Sequence, residues 1–157
     1  MTTYEPWDSE RAQAIIAQYR DVGGATLPVL HALQETFGYV PEAAIQPVAD
    51  ALNLSRAEVY GVVTFYHDFR REPAGRHVLK LCRAEACQAA GGDALAQRAE
   101  GKLGVKLGET TADGRVTLEP VYCLGLCSVS PAAMLDGDVH ARLDQHKLDT
   151  LIAQADR

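Results

Sequence analysis

The chain has 157 residues, is 47% apolar and 23% charged, and carries 15 Lys and Arg against 21 Asp and Glu, for a net charge of −6. Such a length allows one domain or two small ones, with a real hydrophobic core and no need of disulfide staples. Residues 1–70 hold 4 basic and 9 acidic side chains and residues 71–157 hold 11 and 12, net −5 and −1, so neither half offers the basic field that nucleic acid or an anionic membrane requires.

Apolar residues in the first half recur at the helical period. Ala12, Ile15, Ile16 and Tyr19 form one stripe, begun by Asp8 or Ser9 and ended at Gly23-Gly24. A second helix is expected from Thr26, with Leu30, Leu33 and Phe37 on one face and Gly38 as its stop. A third lies between Pro41 and Leu52, where Ile45, Val48, Ala49 and Leu52 are in register and Pro47 is expected to kink or restart it. The fourth opens on Ser55-Arg56-Ala57-Glu58, a capping box, and carries Val59, Val62, Tyr66 and Phe69. These four make a helical bundle, assigned to residues 1–72.

At Glu72-Pro73-Ala74-Gly75 the texture turns to short strands, so residues 73–157 form a second domain. His77 to Cys82 reads as a strand, and Gly91-Gly92-Asp93 opens a helix with Leu95, Ala99 and Leu103. Asp113-Gly114 and Asp136-Gly137 predict hairpin turns with positive φ at both central positions. Asp144 caps a last helix with Leu148, Leu151, Ile152 and Ala155. The fold class is α+β, a helical bundle followed by an α/β sandwich. No run reaches the roughly 20 apolar residues of a membrane helix, and the start has neither the basic nor the apolar stretch of a signal peptide, so the expected location is the cytoplasm.

All four cysteines lie in the second domain: Cys82 and Cys87 with four residues between, Cys123 and Cys127 with three. In the cytoplasm such pairs bind metal or do redox work more often than they form disulfides. Each pair sits where a strand runs out into a loop, and two such loops side by side present four thiolates. Structural zinc favours CxxC knuckles, whereas a [2Fe–2S] cluster spans two irons and suits wider loops; zinc, a disulfide and plain buried cysteines remain open alternatives. A cluster gains negative charge on reduction, which calls for donors aimed at the sulfurs. Ser128, Ser130, the amides of Leu124-Gly125-Leu126 and the start of the helix after Cys87 are candidates. Leu124 and Leu126 either shield it from water or pack as core residues, and Arg83 and Glu85 are expected to cancel each other.

Four ordered blocks then carry a resemblance. Leu33-Gln34-Glu35-Thr36-Phe37-Gly38-Tyr39-Val40-Pro41, Val59-Tyr60-Gly61-Val62-Val63-Thr64-Phe65-Tyr66, CxxxxCxxxG from Cys82 to Gly91 and CLGLC from Cys123 to Cys127 resemble the thioredoxin-like [2Fe–2S] subunit family. That family includes the small peripheral-arm subunit of respiratory complex I (NADH-quinone oxidoreductase) and its counterparts in NAD-dependent formate dehydrogenases and NAD-linked hydrogenases. The resemblance implies a thioredoxin-like ferredoxin domain behind the helices, with Cys82, Cys87, Cys123 and Cys127 as ligands of one [2Fe–2S] cluster. It also implies a non-catalytic electron-transfer subunit docked on a flavoprotein that binds FMN and NAD, with a further iron–sulfur or molybdenum-containing catalytic subunit in the complex. FMN, NAD and the molybdenum cofactor are expected on those partners. Length and the Cys82–Gln88 stretch are most similar to the gamma subunit of soluble, molybdenum-containing formate dehydrogenases.

Other readings compete. Val48 to Tyr60 scans like a helix-turn-helix, but its second helix offers Arg56 against Glu58 and Asp68 in an acidic half, which disfavours DNA. A structural zinc interaction domain is the other rival. Tyr60, Phe65 and Tyr66 either pack in the bundle or face the flavoprotein. His31, His67, His77, His140 and His146 lie outside both ligand loops, and Pro131 is a candidate cis proline.

Overall fold

Helical periodicity gives way to strand periodicity at Pro73, and there the computed structural model, which describes residues 4–155, divides into two units. The first is all helix. In α1 (Ser9–Ala17) Asp8 caps the start, its Oδ1 accepting from the Arg11 N–H at 2.6 Å. The helix ends at Ala17 rather than at Gly23-Gly24: past Ile16 the stripe supplies only half-buried Tyr19, and the chain leaves in turns. In α2 (Thr26–Phe37) Val29, Leu30, Leu33 and Phe37 are buried, and Gly38, at φ 82°, takes the left-handed conformation that stops it.

Pro47 does not restart α3 (Glu42–Leu52), which runs through it as one helix. The N–H that proline lacks would have met the carbonyl of Ala43, which sits in the exposed first turn where water can serve it. In α4 (Arg56–Phe65) the capping box is complete: Ser55 N–H donates to Glu58 Oε2 at 2.8 Å and Glu58 N–H to Ser55 Oγ at 3.2 Å. Its buried residues are Val59 and Val63. Tyr66 lies beyond the helix, extended and exposed, while Phe69 turns back into the core. Leu30, Leu33, Ile45, Val48 and Val59 are almost wholly buried, each contributing roughly 1.5–3 kcal/mol of apolar burial.

The second unit is a five-stranded sheet in the order β2-β3-β1-β4-β5. The strands are β1 (His77–Cys82), β2 (Glu109–Thr110), β3 (Val116–Val121), β4 (Ala133–Leu135) and β5 (Asp138–His140), and the helices are α5 (Glu85–Ala89), α6 (Gly92–Leu103) and α7 (Gln145–Ala155). Neighbouring β1 and β3 are parallel, from His77 opposite Val116 to Cys82 opposite Val121, and β4 is antiparallel to β1. Leu79 and Leu118 from the sheet, Ala99 from α6 and Leu148 from α7 share one core. Asp136 and Gly137, at φ 52° and 97°, form the two-residue turn between β4 and β5. At Asp113-Gly114 only the glycine has positive φ. Asp113 instead accepts from the Thr111 hydroxyl and the Arg115 N–H, widening the turn into a longer loop.

Asp149 of α7 receives Arg98 Nε at 2.9 Å, Arg98 Nη2 at 2.7 Å and Lys102 Nζ at 2.8 Å, both from α6. The Arg98 hydrogen bonds and then Lys102 hold its carboxyl well below the usual range. A carboxylate depressed in the folded state stabilises above its ordinary pKa, near 4, and loses that contribution as pH falls. Asp149→Asn should therefore flatten the acid limb of the stability curve below about pH 4, as read by denaturant midpoints at successive pH values.

Candidate metal centre

Parallel pairing decides where the cysteines meet. Because β1 and β3 run side by side in the same direction, both leave the sheet at one end, with Cys82 as the last residue of β1 and Cys123 two residues beyond the end of β3. Arg83 N–H donates to the Val121 carbonyl at 2.7 Å and Cys82 N–H to the Ala132 carbonyl at 3.0 Å, so the strand leading into β4 closes the third side. Cys87 follows on α5, a short helix, and Cys127 opens a single 3-10 turn at Cys127–Val129.

Two pairs result. Cys82 and Cys87 are 4% and 2% exposed, packed with Ala132 and flanked by Ala84, Val121, Leu124 and Leu126. Cys123 and Cys127 are exposed, their sulfurs 3.6 Å apart. Among the described residues no three His, Cys, Asp or Glu side chains are disposed around one point as a single-ion site.

The donors aimed at these sulfurs are backbone N–H groups. Gly125 N–H lies 3.3 Å from Cys123 Sγ. Burial pushes the Cys82 thiol up, but the Ala84 N–H, the Cys87 thiol and the N–H groups of Cys123 and Leu124 outweigh it and bring the thiol below its ordinary range. Cys87 is pushed up by burial and by the neighbouring Cys82, against the Ala132 N–H. Cys127 is raised by its hydrogen bond with Cys123 and the charge there. Cys82 senses Cys123 and Leu124, and Cys127 senses Cys82, in keeping with β1 and β3 ending side by side.

Cys123 itself stands at φ 96°, a left-handed conformation costly for any residue with a Cβ. Four thiols in two pairs, with peptide donors on the sulfurs and aliphatic side chains around the inner pair, fit a [2Fe–2S] cluster.

The strand ends bring both cysteine pairs to one end of the sheet, with Cys87 on a helix rather than in a loop; of the expected donors the Leu124 and Gly125 amides serve the sulfurs and the serine hydroxyls do not. The donors are peptide groups of Ala84, Cys123, Leu124, Gly125 and Ala132. Arg83 does not cancel Glu85: its Nη2 meets Asp93 Oδ1 at 2.9 Å, and Glu85 is exposed. Leu124 and Leu126 flank the inner pair, as expected of them. His31 packs on Phe69 and His77 Nδ1 lies 2.6 Å from Asp136, away from the sulfurs. The Ser130–Pro131 bond is cis.

The same architecture occurs in known proteins. A family model described as thioredoxin-like [2Fe-2S] ferredoxin matches residues 12–156. One of the subunits of NADH-quinone oxidoreductase from Pseudomonas aeruginosa is 40% identical over 122 residues, covering 78% of this chain and 74% of that one. Its namesake from Escherichia coli is 40% identical over 134 residues, covering 85% and 81%. Among solved structures, an NAD+-reducing [NiFe]-hydrogenase in the air-oxidized state aligns with a TM-score of 0.71 at 26% identity; 84% of this chain is covered, but the chain spans only 23% of the hydrogenase chain. With a match that takes in both cysteine pairs and nearly all of the helical unit, this chain belongs to the thioredoxin-like [2Fe–2S] ferredoxin family.

Proposed function

We propose that the chain is a cytoplasmic electron-transfer subunit that holds one [2Fe–2S] cluster on Cys82, Cys87, Cys123 and Cys127 beside an FMN- and NAD-binding flavoprotein subunit of an NAD-linked oxidoreductase. The observation that carries it is the meeting of two thiol pairs, one buried and one exposed, where β1 and β3 end. When bound, such a cluster exchanges single electrons, which lets a complex join two-electron hydride chemistry to one-electron carriers. The chain's own part is to hold the sulfurs, direct peptide N–H groups at them and keep water from the inner pair with Leu124 and Leu126. It has no substrate chemistry of its own, and catalysis belongs to partner chains.

For the parent complex we propose an NAD-dependent formate dehydrogenase with a molybdenum-containing catalytic subunit, on the similarity of Cys82–Gln88. The names of the relatives favour a second reading, in which the same subunit serves an NADH-quinone oxidoreductase or an NAD-linked hydrogenase. Anaerobic purification should yield about two iron and two labile sulfides per chain and a rhombic spin-half EPR signal on reduction. One tightly held zinc and no iron after reconstitution would leave a structural interaction domain. Co-purified chains and their formate- or quinone-dependent turnover of NAD decide the parent complex.

Tyr60, Phe65 and Tyr66 are 39%, 73% and 43% exposed, so bundle packing does not occupy them. We assign them to the flavoprotein interface, where buried aromatics carry binding energy. Phe65→Glu should weaken association with the flavoprotein by about tenfold or more and leave iron content unchanged.

A further inference from the structure

We infer that Arg83 and Asp93 are an electrostatic pair that sets the reduction potential of the site, Arg83 raising it and Asp93 lowering it; the inference rests on the function proposed above. Arg83 directly follows Cys82, and its backbone is fixed on both sides. Its N–H donates to Val121 at 2.7 Å and its carbonyl accepts from Gln88 Nε2 at 2.8 Å. Its side chain, 23% exposed, crosses to Asp93 at 2.9 Å. Asp93 follows Gly92, whose backbone abuts the Cys87 carbonyl. The pair therefore spans the loop that carries both buried thiols.

Glu100 also acts on Arg83, but it already accepts from Leu107 N–H and Lys106 Nζ. Arg83, Asp93 and Glu100 line one shallow cavity of about 250 Å³ with Ala96, Gln97 and Leu107. Arg83, 23% exposed, is screened less than a charge on an open surface, and Asp93, 57% exposed, is screened more, so the shift from Asp93 should be the smaller of the two.

One-electron reduction makes a four-thiolate cluster more negative. A fixed positive charge carried by the residue after Cys82 favours the reduced form, and a fixed negative charge opposes it. This predicts a pattern that a merely structural ion pair would not produce. Either single substitution breaks the same contact, so loss of loop rigidity moves both variants the same way, whereas charge moves them in opposite directions.

The test uses the full chain, reconstituted anaerobically with iron and sulfide and titrated with redox dyes under EPR. Arg83→Gln should shift the midpoint potential down, Asp93→Asn should shift it up, and the double variant and Arg83→Lys should lie near the parent. Single variants shifted in the same direction, or unmoved at full cluster content, overturn the inference while leaving the cluster assignment intact. Should Arg83→Gln fail to hold a cluster, Asp93→Asn decides alone: an upward shift supports the pair, and an unmoved potential overturns it. A parent chain that takes up no cluster overturns the proposed function, and this inference with it.

Discussion

Serine in place of Cys82 or Cys87 should abolish cluster retention, while serine at Cys123 or Cys127 should leave a cluster that forms but is lost faster. The inner thiols are 4% and 2% exposed and ringed by Ala132, Ala84, Val121, Leu124 and Leu126. No other His, Cys, Asp or Glu among the described residues joins them in a group that would substitute for a missing thiolate. A serine there presents a hydroxyl whose ionisation is opposed by burial, and water has little access to take the open position. At the exposed pair water reaches the metal side freely. After gel filtration, bound iron should fall roughly tenfold or more in the inner variants and only partly in the outer ones. The comparison is sharp because Cys→Ser adds no atom and keeps the backbone, so far-ultraviolet circular dichroism should overlay for all four. Equal loss from inner and outer variants would show that burial does not govern retention.

What could be read from residues alone divides along physical lines. Local signals survived folding. The Ser55 capping box, the Gly38 stop and the Asp136-Gly137 turn are decided within a few residues, and each is present. The four thiols were also legible, since strand-to-loop transitions at Cys82 and Cys123 need only the strand pattern. Non-local features were not. The contact of Arg83 with Asp93 rather than the nearer Glu85 depends on how α6 returns over the loop, which no spacing encodes. Cys87 lies on a five-residue helix too short to have a detectable period. Pro47 misled because its cost depends on whether the abandoned carbonyl faces water, and Ala43 is exposed. Of the peptide donors at sulfur, those of Leu124 and Gly125 were legible because they lie inside the second ligand loop, whereas those of Ala84 and Ala132 depend on how the chain folds around Cys82 and Cys87; the positive φ of Cys123 is visible only once the loop is built.

Gly92→Ala should be the most damaging glycine substitution near the site, although alanine is the better helix former. A Cβ at Gly92 would stand 2.6 Å from the Cys87 carbonyl oxygen and 3.0 Å from its carbonyl carbon. Both are backbone atoms, so the methyl is accommodated only by displacing the peptide that carries the buried Cys87 thiol. Overpacking of this kind costs about 1–3 kcal/mol, and the displacement falls on Cys87 directly. Two other glycines isolate the cause. Gly101, in the exposed last part of the same helix, has nothing within 4 Å of its Cβ position, so Gly101→Ala should stabilise by about 0.4–1 kcal/mol through helix propensity and a less flexible unfolded chain. Gly91 is also open in space but sits at φ 91°, so Gly91→Ala should cost about 1–2 kcal/mol from backbone strain alone. Denaturant midpoints should therefore order the variants Gly101→Ala, parent, then Gly91→Ala and Gly92→Ala below it. Iron retention separates the last two: strain at Gly91 leaves the Cys87 peptide in place, whereas crowding at Gly92 moves it. A Gly92→Ala chain that holds its cluster as firmly as the parent would show that the close approach of α6 to Cys87 does not position the ligand.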